Sequence, residues 1–230
     1  MTDTKKRIGI IGAHAMDAEL MGGPIAWLLS KKGWESYFIH ITRGERGNPN
    51  KAPDVFGSQL EEEMQVCAEK LNAASIWTGF MAGAIPKNEC VAFLEETIIN
   101  LKLDVVITHW KGSFHPRHRL VHDYVIEGLA RTKKDGYSIG GLYYGENMED
   151  LDGFIPMLYM DISEVYEIWF DAMMSYELFR DSSNGFPYQS YYSANSRLRG
   201  LESGYTYSKC LMLQKSVTSD LASSFRPIIG

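Results

Sequence analysis

The chain has 230 residues, 45% of them hydrophobic, which suffices for one well-packed core and is short for two, so a single domain over residues 1–230 is expected. Its 29 acidic and 23 basic side chains give a formal charge of −6, which excludes the footprint of a nucleic-acid-binding protein; the segment from Lys111 to Arg119 is a local basic patch suited to an anionic small ligand or a solvated loop. Cys67, Cys90 and Cys210 are odd in number and far apart, which argues against a disulfide framework or a thiolate metal site and for a reducing compartment.

Beyond Lys6 the chain enters a strand pattern without passing through the apolar core of a signal peptide, and nowhere does it approach the roughly 18 uninterrupted apolar residues of a membrane span. A soluble, cytoplasmic protein is expected. Strand-like runs at residues 7–12, 36–42, 75–78 and 104–108 alternate with helix-like stretches near residues 18–32, 56–71, 90–102 and 118–132. Strand then helix, repeated, implies parallel pairing through right-handed crossovers, hence an α/β fold: a Rossmann-like three-layer sandwich with a mostly parallel sheet. Residues 141–144 and 158–162 read as further strands, residues 165–179 as a helix behind a Ser163 cap, and residues 190–201 as another helix. The second half is dense in aromatics, among them Trp169, Tyr176, Tyr188 and Tyr192, which read as core and sheet cover ahead of a sugar pocket or an oligomer interface.

Two segments carry chemistry. Gly12-Ala13-His14-Ala15-Met16-Asp17-Ala18-Glu19 follows the first strand, and His109, then His115-Pro116-Arg117-His118, follow the fourth. In a parallel sheet the carboxyl ends of strands open into the ligand crevice, so these side chains project there. His, Asp and His supplied by two strand ends make a three-ligand site with an open position, the arrangement with which catalytic zinc holds a water.

These motifs resemble those of the PIG-L/LmbE-like N-acetylglucosamine deacetylases, whose usual signatures read Ala-His-Pro-Asp-Asp-Ala-Glu and, far downstream, His-Pro-Asp-His. The likeness extends to Thr42-Arg43-Gly44-Glu45-Arg46-Gly47, to Glu62-Glu63 and to the tail from Asn195 to Gly204. It implies a zinc-dependent N-acyl amino-sugar deacetylase, in which His14, Asp17 and His118 are the metal ligands, His115 is the electrophilic or acid histidine, and Glu45 binds substrate. The implied partner is a small-molecule N-acetylated amino sugar or its conjugate.

The departures from that pattern concern proton handling. Met16 stands where the family has its general base, Arg117 where it has the acid that steadies the catalytic histidine, and Leu60 where many members carry a substrate-binding arginine. Losing a general base slows a reaction by about 10²–10⁴-fold if nothing replaces it. Bound zinc still brings the pKa of water down to roughly 7, so some hydroxide remains near neutrality. His122, one helical turn beyond His118, is the candidate substitute base; His115 held neutral by Arg117 is another, and Glu19 points away from Asp17 around its helix.

Single residues have plainer readings beside these. Glu45 in a Gly-bounded turn is either a solvated loop charge or a substrate contact, His109 is either pocket wall or a packed strand end, and Arg197 with Arg199 is a favourably charged helix end before it is a ligand clamp. Two other functions compete with hydrolysis. One is a family member that keeps the metal but has lost turnover and serves in binding. The other is an NADP-dependent oxidoreductase, suggested by Gly9-Ile10-Ile11-Gly12 and Arg43; its glycine spacing is wrong, and His14 and Asp17 put bulk and negative charge where a pyrophosphate must lie. A homo-oligomer is compatible with the sequence, which does not specify one.

Overall fold

A computed structural model describes residues 5–214. In chain order it contains β1 (Arg7–Gly12), α1 (Asp17–Ser30), β2 (Glu35–Thr42), α2 (Pro53–Lys70), β3 (Ala74–Phe80), α3 (Lys87–Asn100), β4 (Val105–Thr108), α4 (Pro116–Lys134), β5 (Gly141–Gly145), β6 (Leu158–Asp161), α5 (Tyr166–Met173), α6 (Glu177–Asp181), α7 (Tyr188–Ser203) and β7 (Ser208–Leu213). The strands form one sheet in the order β3-β2-β1-β4-β5-β7-β6. The five strands from β3 to β5 are parallel, and β7 runs antiparallel to both β5 and β6. The expected α/β class and mostly parallel sheet are those of the protein.

The alternation of apolar residues along each strand builds the two covering layers. Ile8 and Ile10 of β1, with Phe38, Val105, Ile107 and Tyr143, face a core closed by α1, α2 and α5. Ile11, with Ile39, Ile41, Val106, Leu142 and Tyr144, faces the opposite core, closed by α3 and α4. β4 is buried over its whole length, which is why it reads as a continuous apolar run with no polar alternation.

The site's position follows from strand order. The chain steps outward from β1 through β2 to β3, then returns to place β4 on the other side of β1, so the connections leaving β1 and β4 diverge and open a crevice at their carboxyl ends. Gly12 lets β1 turn straight into α1, because a Cβ there would lie 2.7 Å from the Cβ of Asp17. Residues 13–15 are then tied to the end of β2 by Thr42 N–H donating to the Ala13 carbonyl (2.9 Å) and Ala15 N–H donating to the Arg43 carbonyl (3.3 Å).

Two elements depart from expectation. The helix expected over residues 165–179 is two helices, broken where Tyr176 turns to an extended conformation and buries its ring, its hydroxyl donating to Glu19 (2.8 Å). The sequence pattern also omits β7: Lys209 interrupts its apolar run, yet that lysine is buried with Nζ 4.3 Å from the ring centroid of Trp169 and 4.9 Å from that of Tyr192. Cys67, Cys90 and Cys210 are all free thiols in the interior. Among the described residues no helix is long and apolar enough to cross a membrane.

Candidate metal centre and pocket

β1 delivers His14 and Asp17, and β4 delivers His109 and, through the start of α4, His115 and His118. Their ligand-capable atoms converge: those of His14, His115 and His118 lie within 4.8 Å of one another, as do those of Asp17, His109 and His118. Asp17 joins the two groups, since its Oδ2 is 3.3 Å from His14 Nδ1 and 3.4 Å from His118 Nε2. Its other oxygen accepts from Asn147 Nδ2 (3.2 Å), and His14 N–H donates to Oδ2 (2.9 Å), so the carboxylate is fixed in one orientation. Gly44, at φ 78°, lies against His14; a Cβ there would come within 3.1 Å of the histidine's Cβ.

The hydrogen-bond network distinguishes the second nitrogens of two histidines. His109 Nε2 accepts from the Ala13 backbone N–H (2.9 Å) while Nδ1 donates to Asp150 Oδ2 (2.7 Å), so both its nitrogens are occupied. His118 Nδ1 donates to the other oxygen of the same carboxylate (2.8 Å). With Nδ1 committed to Asp150, Nε2 is the nitrogen left to take a proton or a metal; it is fully buried and without a hydrogen-bond partner, and it faces Asp17 Oδ2 at 3.4 Å and Glu149 Oε2 at 3.3 Å. A carboxylate behind a histidine whose far nitrogen is open toward other acids is the donor set a divalent cation completes. The residues present fit such an ion.

The electrostatics agree. Burial pushes the His118 imidazole toward the neutral form, but Asp17 and Asp150 outweigh it and raise its pKa to about 10. Burial likewise works against the charge on Asp17, yet His118 and His109 hold its carboxyl well below the usual range, and Asp150 is depressed by the same two histidines. The centre therefore stabilises positive charge at His118 Nε2, where a proton and a metal ion compete. Burial, then the neighbouring cationic forms of His118 and His14, push His115 down to about 4, so its imidazole is neutral at physiological pH. Burial raises Glu149 to about 6.

His14, Asp17 and His115 of this centre line a cavity of about 280 Å³, near the lower bound of small-molecule sites. Its walls come from residues after β1 and β2, from Leu60 of α2, from the start of α4, from Asn147, Met148 and Glu149 after β5, and from Leu178, Asn184, Tyr188 and Tyr192. Met16 lines it too, as the N-cap of α1 at φ 80°. For a non-glycine side chain this left-handed conformation costs on the order of 1 kcal/mol or more, and such outliers cluster at functional sites.

Of the residues singled out in the sequence, His14, Asp17 and His115 line this cavity, and His118 is buried behind Asp17, within reach of the other three. Glu45 does not line the cavity: it is buried, and its Oε1 accepts the Ala82 N–H (2.7 Å), holding the turn after β3. His122 stands apart as well, with Nδ1 3.0 Å from Asp123 Oδ1 and its ring beside Trp110 and Tyr144. Sequence reasoning passes over Asn147, Glu149 and Asp150. The signal is present, since Glu146-Asn147-Met148-Glu149-Asp150 directly follows an expected strand, the same position at a strand's carboxyl end that singles out His14.

With this geometry the comparisons with known proteins agree. The profile of the PIG-L family, described as GlcNAc-PI de-N-acetylase, matches residues 10–129, a stretch that includes His14, Asp17, His115 and His118. The chain belongs to the PIG-L family. No curated protein matches it significantly. Among solved structures it is similar to GalB, the 4-carboxy-2-hydroxymuconate hydratase from Pseudomonas putida (18% identity, TM-score 0.81, covering 94% of this chain and 100% of that one). It is similar also to the N,N'-diacetylchitobiose deacetylase from Pyrococcus horikoshii (18% identity, TM-score 0.78, 92% and 84% covered) and to a conserved protein, TT1542, from Thermus thermophilus (19% identity, TM-score 0.78, 94% and 97% covered). At these identities the shared feature is the fold. Family membership makes this PIG-L chain a deacetylase-type hydrolase, acting on amides.

Proposed function

We propose that the protein is a zinc-dependent hydrolase that removes the acyl group from an N-acylated amino sugar or its conjugate in the cytoplasm. The observation that carries this reading is His118 Nε2, which has no hydrogen-bond partner and faces the carboxylates of Asp17 and Glu149, two residues that line a ligand-sized cavity. His14, Asp17 and His118 are the residues that would hold the metal. A bound divalent cation supplies Lewis acidity to the acyl carbonyl and to the attacking water.

The rest of the chemistry falls to the chain's own groups. Met16 has no basic atom at the position the family uses for its base. In our reading Glu149 takes that part, since its carboxylate lines the cavity 3.3 Å from His118 Nε2 and therefore next to where the nucleophile must stand. It accepts the proton of water at Oε2 as the new C–O bond forms, and returns it to the leaving amine as the C–N bond breaks. His115, neutral and with a buried Nδ1 that has no hydrogen-bond partner, donates a hydrogen bond to the oxyanion. His122, engaged with Asp123, is the lesser candidate for the base.

A second reading rests on Met16 itself: a thioether cannot take a proton, so a metal-binding member without turnover remains the competing proposal. Metal analysis paired with an acetate-release screen over N-acetyl sugars separates them. The hydrolase reading expects about one zinc per chain and acetate release that a chelator abolishes and zinc restores. Stoichiometric metal with no release from any N-acyl sugar would sink it and leave the binding role.

A further inference from the structure

We propose that the substrate carries an anionic group, a carboxylate or phosphate, recognised by Arg46 and Arg117; this rests on the amide-hydrolase reading above. Both arginines line the same cavity as His14, Asp17 and His115. Arg46 arrives from the loop after β2, with its guanidinium beside Gly83, where a Cβ would lie 3.2 Å from Nη2. Arg117 is the second residue of α4, whose first turn contains no acidic residue. Among the described residues neither has an ion-pair or hydrogen-bond partner.

The neighbouring cations show the contrast. Arg43 also lines the cavity, but its guanidinium is ion-paired with Glu61 and lies 4.5 Å over the ring of Trp77. Arg119 donates to the Ser113 carbonyl. The acids of the cavity, Asp17 and Glu149, face the buried His118. Arg46 and Arg117 are thus the cavity's uncommitted charges, and they are of one sign. Arg46 is exposed and Arg117 half-buried where they line the cavity, and a carboxylate or phosphate offers them bidentate, charge-assisted pairing that the hydroxyl and amide oxygens of a neutral sugar cannot match. Each arginine reaches the cavity from a different chain segment, so an anion placed to meet both also orients the acyl group over the metal centre.

Calorimetric titration of the zinc-loaded full chain tests this with three probes: N-acetylglucosamine, N-acetylglucosamine 6-phosphate and N-acetylmuramic acid. The expected result is that at least one charged sugar binds about 10- to 100-fold more tightly than the neutral one, with the phosphate and carboxylate arms identifying which anion is preferred. Arg46→Gln and Arg117→Gln should each reduce the difference and together erase it, with zinc content unchanged as the check on folding. Equal affinity for all three sugars, no binding of either charged one, or a preference that survives the double variant overturns the proposal. Acetate release measured in parallel keeps the two readings apart. Anion preference without release from any sugar defeats the hydrolase assignment alone, and release without anion preference defeats this one alone.

Discussion

Asp150 binds His118 from behind: Oδ1 stands 2.8 Å from Nδ1, and the same carboxylate's second oxygen holds His109 at 2.7 Å. The two imidazoles stack at 3.8 Å between centroids, so one buried acid sets the orientation of both. Asp150→Asn loses the charge and can no longer accept from both rings. It should lower zinc affinity by about 10–100-fold, the usual effect of removing a carboxylate behind a metal-bound histidine. A competitive chelator titration reads this directly, and an unchanged affinity would show that His118 is not a ligand.

Met16→Asp tests the missing base. An aspartate at this N-cap tolerates the left-handed backbone better than methionine and restores a proton acceptor. Deacetylase activity should rise by about one order of magnitude or more. A fall in activity would mean that a carboxylate at position 16 adds nothing to Glu149 and that the thioether, buried at 5% exposure, is wanted for packing.

The carrier we assign is Glu149. Glu149→Gln should leave zinc stoichiometry intact and reduce kcat by about 10²-fold or more. His122→Ala should change kcat little. The reverse pattern would transfer the role to His122.

Arg199 grips the segment that holds this chemistry. Its Nε and Nη2 donate to the buried carboxylate of Glu146 (2.5–3.1 Å), immediately before Asn147. Arg199→Leu strands that acid and should cost about 3 kcal/mol of stability. Adding Glu146→Gln should recover much of the loss, which a double-mutant cycle in urea unfolding measures. Additive losses would show that the pair is not coupled.

Lys209 gives a pH dependence. Burial lowers its pKa to about 8, and Nζ has no hydrogen-bond partner. Below pH 8 the amine is charged in both states and the folded protein bears the desolvation cost. Between pH 8 and the unfolded value near 10.4 only the unfolded chain stays protonated, so this group's contribution to stability improves as pH rises. Lys209→Met should therefore stabilise the protein at about pH 7 by ~2 kcal/mol, an advantage that shrinks by about pH 10. A variant less stable near neutrality would show that the Trp169 and Tyr192 rings more than offset desolvation.

Much of this is readable in one dimension. Hydrophobic period and turn residues encode local structure, so the alternation of strands and helices through α4 is legible, and with it the rule that the ends of β1 and β4 share a crevice. His14, Asp17, His115 and His118 stand out because their spacing within each motif is short. Strand β7, the break at Tyr176 and the roles of Asn147, Glu149 and Asp150 are decided by contacts between residues far apart in the chain. Lys209 reads as exposed until Trp169 and Tyr192 enclose it. Glu45 reads as a solvated loop charge or a substrate contact, and folding buries it with Oε1 accepting the Ala82 N–H. His109 and His118 are equivalent letters in the sequence, and only folding distinguishes their second nitrogens, one accepting the Ala13 amide and the other buried without a hydrogen-bond partner and facing acids. Sequence specifies which groups a chain owns; a buried group's protonation and free lone pairs depend on what folding packs against it.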